Sequence, residues 1–254
     1  MGFMEKMCER VNILGIKYTK ISYSGLMEEI EKSIADRKIT ASIIAVDPVM
    51  VARKDNCLKK VYNSMDYVLA DGMPIVFASK LLGNPLPGRI TGLDLFPDLI
   101  KLCSKKGYSA FFLGSDEKTV RKVKKKLGSR IKASHYCPPI KKKFDKKDNE
   151  IMINKINKAK PDVLFIILGA PKQDIWMYKN SKKVDAKVTI SIGAAFDCYA
   201  GKFKRAPKWM QNTGLEWLFR LVQNPKLWKR YARDMLFPFL VAKELLAKQT
   251  KMLK

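Results

Sequence analysis

The chain has 254 residues, 47% of them hydrophobic, which is long enough for one large α/β domain or two small ones with a real core. Fifty Lys and Arg against twenty-four Asp and Glu give a formal charge of +26, which favours anionic partners: nucleic acid, anionic lipid or phosphorylated substrates. Five scattered cysteines without a CxxC pair (Cys8, Cys57, Cys103, Cys137, Cys198) and a single histidine disfavour a zinc site or a disulfide framework and read as small core residues in a reducing compartment.

The first segment carries Glu5, Lys6, Glu9 and Arg10 and no long apolar run, so no signal peptide is read there. Val11 to Ser22, with β-branched residues around Gly15, predicts a hairpin. Ser24 is the candidate cap of a helix running through Leu26, Ile30 and Ile34 to Lys38. Ile39 to Val46 reads as a buried strand ending on Asp47-Pro48, with a helix after it. Tyr67 to Ala70 is a second buried strand, stopped by Asp71, Gly72 and Pro74, with a helix over 75–82. Asp71 has two readings here: a cap for that helix, or an acid set at a ligand-binding strand end.

Residues 84–92 form a loop, and 93–106 a helix closed by Gly107. Residues 108–113 form a strand, and 117–127 a very basic helix with a Gly128 stop. A short strand follows over 130–136, then a charged loop over 138–149 in which Asp145 and Asp148 read as solvated, then a helix over 151–160. Val163 to Leu168 is a strongly apolar strand ending on Gly169-Ala170-Pro171-Lys172-Gln173, followed by a helix over 174–183. Val188 to Ile192 is the last clear strand, ending on Gly193 to Asp197. The alternation predicts an α/β fold, a Rossmann-like, mostly parallel sheet with helices on both faces, over residues 1–200. No window of about eighteen uncharged apolar residues exists, so no spanning helix is expected.

Residues 201–254 read as a separate C-terminal basic helical appendage. Positions 202–254 hold thirteen Lys and Arg but three acids, and Pro207, Pro225 and Pro238 cut an aromatic-rich pattern into short helices. The expectation is packing on the core near Trp209–Leu221 and a membrane-facing surface beyond about Trp228.

Five strand ends rich in Gly, Asp and Pro converge on one edge of such a sheet, which suits a nucleotide or sugar-phosphate. Neither GxGxxG nor GxxxxGKS is present, so a dinucleotide fingerprint and a P-loop are disfavoured. No acidic pair marks a metal-bridged diphosphate. His135 reads as a surface or turn residue. The Lys122–Lys126 cluster and the Lys141–Lys143 run read as solvated faces.

Taken together, the ordered motifs resemble the WecG/TagA/CpsF glycosyltransferases over about Val11 to Tyr231. They are Asp47-Pro48, Ala70-Asp71-Gly72-Met73-Pro74, Leu86-Pro87-Gly88-Arg89-Ile90-Thr91-Gly92, Leu168-Gly169-Ala170-Pro171-Lys172-Gln173-Asp174, Gly193-Ala194-Ala195-Phe196-Asp197 and Gly214-Leu215-Glu216-Trp217. The resemblance implies inverting, metal-independent transfer of an N-acetylmannosamine-like sugar from a UDP-sugar, with no other cofactor. The implied acceptor is a polyprenol-diphosphate-linked saccharide of cell-wall or surface polysaccharide synthesis. It implies a cytoplasmic protein, peripheral on an anionic inner membrane face, and allows a homo-oligomer.

Carried over by resemblance, Asp71 is the general base. Gln173 would bond the donor, Asp197 the ribose region, and Arg89 a diphosphate, while Arg220, Arg230 and Arg233 would complete the site when the tail docks. The family's Thr-x-Asn-Pro run is here Ala45-Val46-Asp47-Pro48. That puts a carboxylate near the diphosphate at Asp47, as an expected acidic neighbour that raises one carboxyl pKa of the pair. The alternative from the charge alone is a basic nucleic-acid-binding protein on the same scaffold.

Overall fold

The computed structural model describes residues 9–141 and 143–252, so the readings placed on Cys8, Glu5, Lys6 and Lys142 lie outside the described residues. The chain opens with an antiparallel hairpin, β1 (Arg10–Ile13) and β2 (Ile16–Thr19). Its turn is tight because Leu14 and Gly15 both take positive φ. Six parallel strands then form one sheet: β3 (Ile39–Ile44), β4 (Tyr67–Ala70), β5 (Ala110–Gly114), β6 (Ala133–Tyr136), β7 (Val163–Ile167) and β8 (Val188–Ser191). Their spatial order is β4-β3-β8-β7-β5-β6. The Rossmann-like expectation is met.

Strand pleating sorts the core. Along β7, Val163, Phe165 and Ile167 point to one face while Leu164 and Ile166 point to the other. The first face is covered by α1 (Tyr23–Asp36), α5 (Gly92–Lys106), α6 (Glu117–Leu127) and α9 (Ala195–Tyr199). Phe96, Phe112, Phe165 and Phe196 meet there edge-on or tilted at 5.1 to 6.1 Å. The second face carries α2 (Val46–Ala52), α3 (Asn56–Asn63), α4 (Met73–Leu81), α7 (Lys146–Ala159), α8 (Lys172–Asn180) and the hairpin. The hairpin shields the edge strand β4, and Val68 N donates to Thr19 Oγ1 at 2.9 Å.

Several boundaries differ from expectation for local reasons. Ser22, not Ser24, caps α1 by accepting from Gly25 N. Asp145 and Asp148 are not merely solvated: they form a reciprocal capping box, which starts α7 at Lys146, five residues before the predicted start. Of the four described cysteines only Cys103 is buried, and Cys57 is exposed, so the core reading fails for Cys57.

The tail comprises α10 (Lys208–Thr213), α11 (Glu216–Gln223), α12 (Trp228–Asp234) and α13 (Phe237–Met252). Its packing does not divide at Trp228: Trp228, Leu236 and Phe239 are exposed as expected, but two residues beyond Trp228 are buried and two before it are exposed. Trp209 is 62% exposed and Leu218 is also exposed, whereas Phe237 and Val241, beyond Trp228, are 3% and 2% exposed in the core with Ile13, Ile16 and Ile75. α13 also holds the hairpin, as Leu14 N donates to Glu244 Oε2 at 2.9 Å. Nearer the sheet, Arg205 grips Asp94 of α5 with a two-pronged ion pair at 2.5 and 2.6 Å.

Candidate active site

β4 is buried throughout, and Asp71 is the first polar residue past its end. Asp71 N extends the ladder to Ile44 O at 3.1 Å, and Ile90 N bonds Ala70 O at 2.8 Å, strapping the Arg89 loop beside it. Gly72 caps α4 at φ 100°, a turn that a side chain would strain, and α4 has no side-chain cap. The capping reading of Asp71 therefore falls, and its carboxyl faces a cavity instead.

Two cavities open at the carboxyl ends of the strands. One, of about 270 Å³, lies between the end of β4 and the tail, walled by Met73, Trp217, Tyr231, Met235 and Phe237. The other, of about 540 Å³, spans the ends of β5, β7 and β8, walled by Gly114, Ser115, Gly169, Gln173, Gly193 and Asp197. Asp47, Asp71, Arg220 and Arg230 line both, so the cavities meet at Asp71.

The floor of the larger cavity needs small residues. A Cβ on Gly114 (φ 111°) would sit 2.5 Å from Ile167 O, a backbone atom that cannot give way. Gln173 is almost fully buried at the start of α8, and its Oε1 has no hydrogen-bond partner among the described residues. Next to it, the buried Asp174 accepts from Ser42 of β3 and from Ser191 of β8 (2.8 Å for the latter), tying α8 to the two central strands. Burial pushes the Asp174 carboxyl up to about 6, against the pull of those serine hydrogen bonds. Asp197 lies on the cavity wall with Lys202, whose ammonium bridges it to Asp116 at 2.9 and 2.8 Å.

Asp71 lies in a mixed field. Burial pushes its carboxyl up to about 6; Glu216 adds to the rise, while Arg220, Arg230 and Arg89 oppose it. The acidic neighbour expected at Asp47 is thus replaced by Glu216. Asp47 is instead engaged by the tail, with Arg230 Nε at 3.3 Å and a hydrogen bond from Arg233. Arg89 is spoken for within the protein, donating to Glu216 at 3.3 Å and to Gln211 at 2.8 Å. Arg220 stacks on the Phe203 ring at 4.5 Å.

The structure therefore brings Asp47, Asp71, Arg89, Gln173, Asp197, Arg220 and Arg230 onto the walls of two joined cavities. Arg233 stands just outside, behind Asp47. Sequence reasoning missed Glu216, Lys202 and the Asp174–Ser42–Ser191 cluster. Glu216 was visible within Gly214-Leu215-Glu216-Trp217, but nothing local links it to Asp71. Among the described residues no group of three or more His, Cys, Asp or Glu converges as metal ligands.

This arrangement can hold two substrates with one carboxyl between them. Known proteins are similar to it in sequence. A profile of the glycosyl transferase WecG/TagA/CpsF family matches residues 11–251. An N-acetylglucosaminyldiphosphoundecaprenol N-acetyl-beta-D-mannosaminyltransferase of Bacillus subtilis (strain 168) is 32% identical over 243 residues, covering 94% of this chain and 93% of that relative. Proteins of the same name from Bacillus spizizenii and Staphylococcus aureus (strain MW2) are 30% and 28% identical, covering 82% and 94% of this chain and 80% and 94% of their own lengths. With the profile running from the hairpin through the tail that closes the site, the chain belongs to the WecG/TagA/CpsF family of glycosyl transferases.

Proposed function

We propose that this glycosyltransferase moves N-acetylmannosamine, with inversion, from a UDP-sugar to N-acetylglucosamine carried on a polyprenol diphosphate, at the inner face of the cell membrane. The observation that carries the reading is the meeting of two cavities at Asp71. The larger cavity, at the strand ends, suits the nucleotide: glycine turns admit a diphosphate, and Gln173 offers an unpaired buried oxygen to a sugar hydroxyl. Asp197 suits a ribose hydroxyl. The smaller cavity, where Trp217, Tyr231 and Phe237 stand beside Arg220 and Arg230, suits an acceptor with both apolar and phosphate parts, in line with the lipid-linked acceptor in the relatives' names.

In this reading the acceptor hydroxyl gives its proton to the Asp71 carboxylate as its oxygen attacks the anomeric carbon. The bond to the UDP oxygen breaks, and the electron pair leaves with the diphosphate. Acceptor and leaving group enter from opposite cavities, so attack comes from the face opposite the diphosphate and the configuration inverts. Arg220 and Arg230 meet the leaving charge, which asks for no metal in this scheme. Exposed Trp228, Leu236 and Phe239 on a basic tail support docking on anionic lipid. No helix among the described residues is long and apolar enough to cross a membrane.

Melting the protein with UDP, NAD and RNA in parallel tests the donor. UDP alone is expected to raise Tm, and the absence of a shift with UDP and a panel of UDP-sugars would end the reading. Asp71→Ala is expected to keep the fold and abolish transfer to a lipid-diphosphate acceptor; full activity would remove Asp71 as the base.

A further inference from the structure

Asp47 lies on the wall of both cavities. It sits on the first turn of α2, at the end of β3, and two arginines of α12 converge on its carboxylate. Arg230 Nε lies 3.3 Å from Oδ2, and Arg233 donates to Oδ1. α12 packs directly on α2, so these ion pairs lie in the seam between tail and core. Arg230 lines both cavities; Arg233 lines neither. Arg220, the other tail arginine at the junction, has no ion-pair partner among the described residues.

Two of the three arginines of α11 and α12 thus share the single carboxylate of Asp47. A diphosphate seeks the same guanidinium forks and carries more charge. A carboxylate left beside it on the same fork repels it. Arg233 offers the carboxylate somewhere to stay when Arg230 turns to the ligand, because it holds Asp47 from outside the cavities.

We propose that Asp47 is a positioning residue: an internal counter-ion that pins α12 across the site before substrate arrives and yields Arg230 to the diphosphate. The pinning stands on the ion pairs alone, and the yielding rests on the donor reading above. Charge on Arg230 then passes from one anion to another with no bare intermediate.

The test uses the full chain with Asp47→Asn, which keeps the shape and removes the charge, and Arg233→Gln, which removes the outer arm. In the ligand-free protein, amide hydrogen exchange across residues 228–234 is expected to quicken about threefold or more in either variant, with the double variant no faster than the quicker single. Calorimetric titration with UDP is expected to show Asp47→Asn binding about three- to tenfold more tightly at low salt, with the gain shrinking as salt rises. The gain outweighs the looser α12 because Phe237, Val241 and the Asp94–Arg205 fork still hold the tail. Unchanged exchange in Asp47→Asn would refute the pin. Faster exchange with unchanged or weaker UDP binding would refute the yielding of Arg230 and the proposal with it. If neither wild type nor variant bound UDP, the donor reading would fall, and the exchange data would still decide the pin.

Discussion

The protonation of Asp71 is set by residues from three distant stretches. Its carboxyl is pushed from the usual 3.8 up to about 6 by burial and by Glu216, with three arginines pulling it back. A base must be ionised, so kcat/KM is expected to fall below about pH 6 with a single-proton limb. Glu216→Gln removes one cause of the rise and frees Arg89, so the limb should move to lower pH. The Asp174 carboxyl is also pushed up to about 6, but by burial against its own hydrogen bonds and not by Glu216, so a limb belonging to it would stay put. Stability carries the opposite sign from catalysis. The folded state holds the Asp71 proton more tightly than the unfolded chain, so stability falls as pH rises from about 4 to about 6. Asp71→Asn should therefore be more stable than wild type by about 3 kcal/mol at pH 7.5 in urea unfolding, with the gain vanishing below about pH 4. The place of Asp71 was legible in the sequence, because a four-residue buried strand followed by Gly and Pro leaves few other positions for an acid. Its partner Glu216 was not, because the contact exists only once the tail has folded back.

At the scale of elements, α13 is the anchor of the tail. Phe237 and Val241 fill a groove between the hairpin and α4, and Glu244 holds the hairpin turn. Phe237→Ala should cost about 2–4 kcal/mol of tail docking, seen as faster hydrogen exchange over 208–252 with the sheet strands unaffected. Equal loss of protection in β7 would mean that the tail and sheet unfold as one unit. Aromatic density could not reveal which part of the tail packs, because the stretches around Trp209 and Phe237 are both rich in large apolar residues. The core decides, and Phe237 joins one that also holds Ile13, Ile16 and Ile75, far from either stretch. The early start of α7 was legible in principle, as Asp145 and Asp148 stand at capping-box spacing; the surrounding lysines masked it as a plain charged loop.

Over the whole molecule, charge and exposed apolar surface fall together on the tail. Trp209, Leu218, Val222, Trp228, Leu236 and Phe239 are exposed on a chain of net charge +26. Vesicles containing anionic lipid should bind the protein in sedimentation assays, and binding should weaken as salt rises from about 0.1 M to about 0.5 M. Trp228→Ala with Phe239→Ala should lower the part that survives high salt. Binding equal to that on neutral vesicles would exclude the charge contribution. The parallel sheet and its strand-end site were readable from strand–helix alternation, since short right-handed crossovers leave few ways to arrange such elements. The change of composition near residue 200 was readable, whereas the core that Phe237 and Val241 share with the hairpin and sheet was not.

The seam between Asp47 and α12, together with the Glu244 bond to Leu14, sets an order in time. Every strand of the sheet is synthesised before α12 and α13. A nascent chain emerging from the ribosome can assemble the glycine-floored cavity while the wall formed by Trp217, Tyr231 and Phe237 is still unmade. The Trp217–Tyr231–Phe237 wall is therefore completed only after the sheet, when α13 seats against the hairpin.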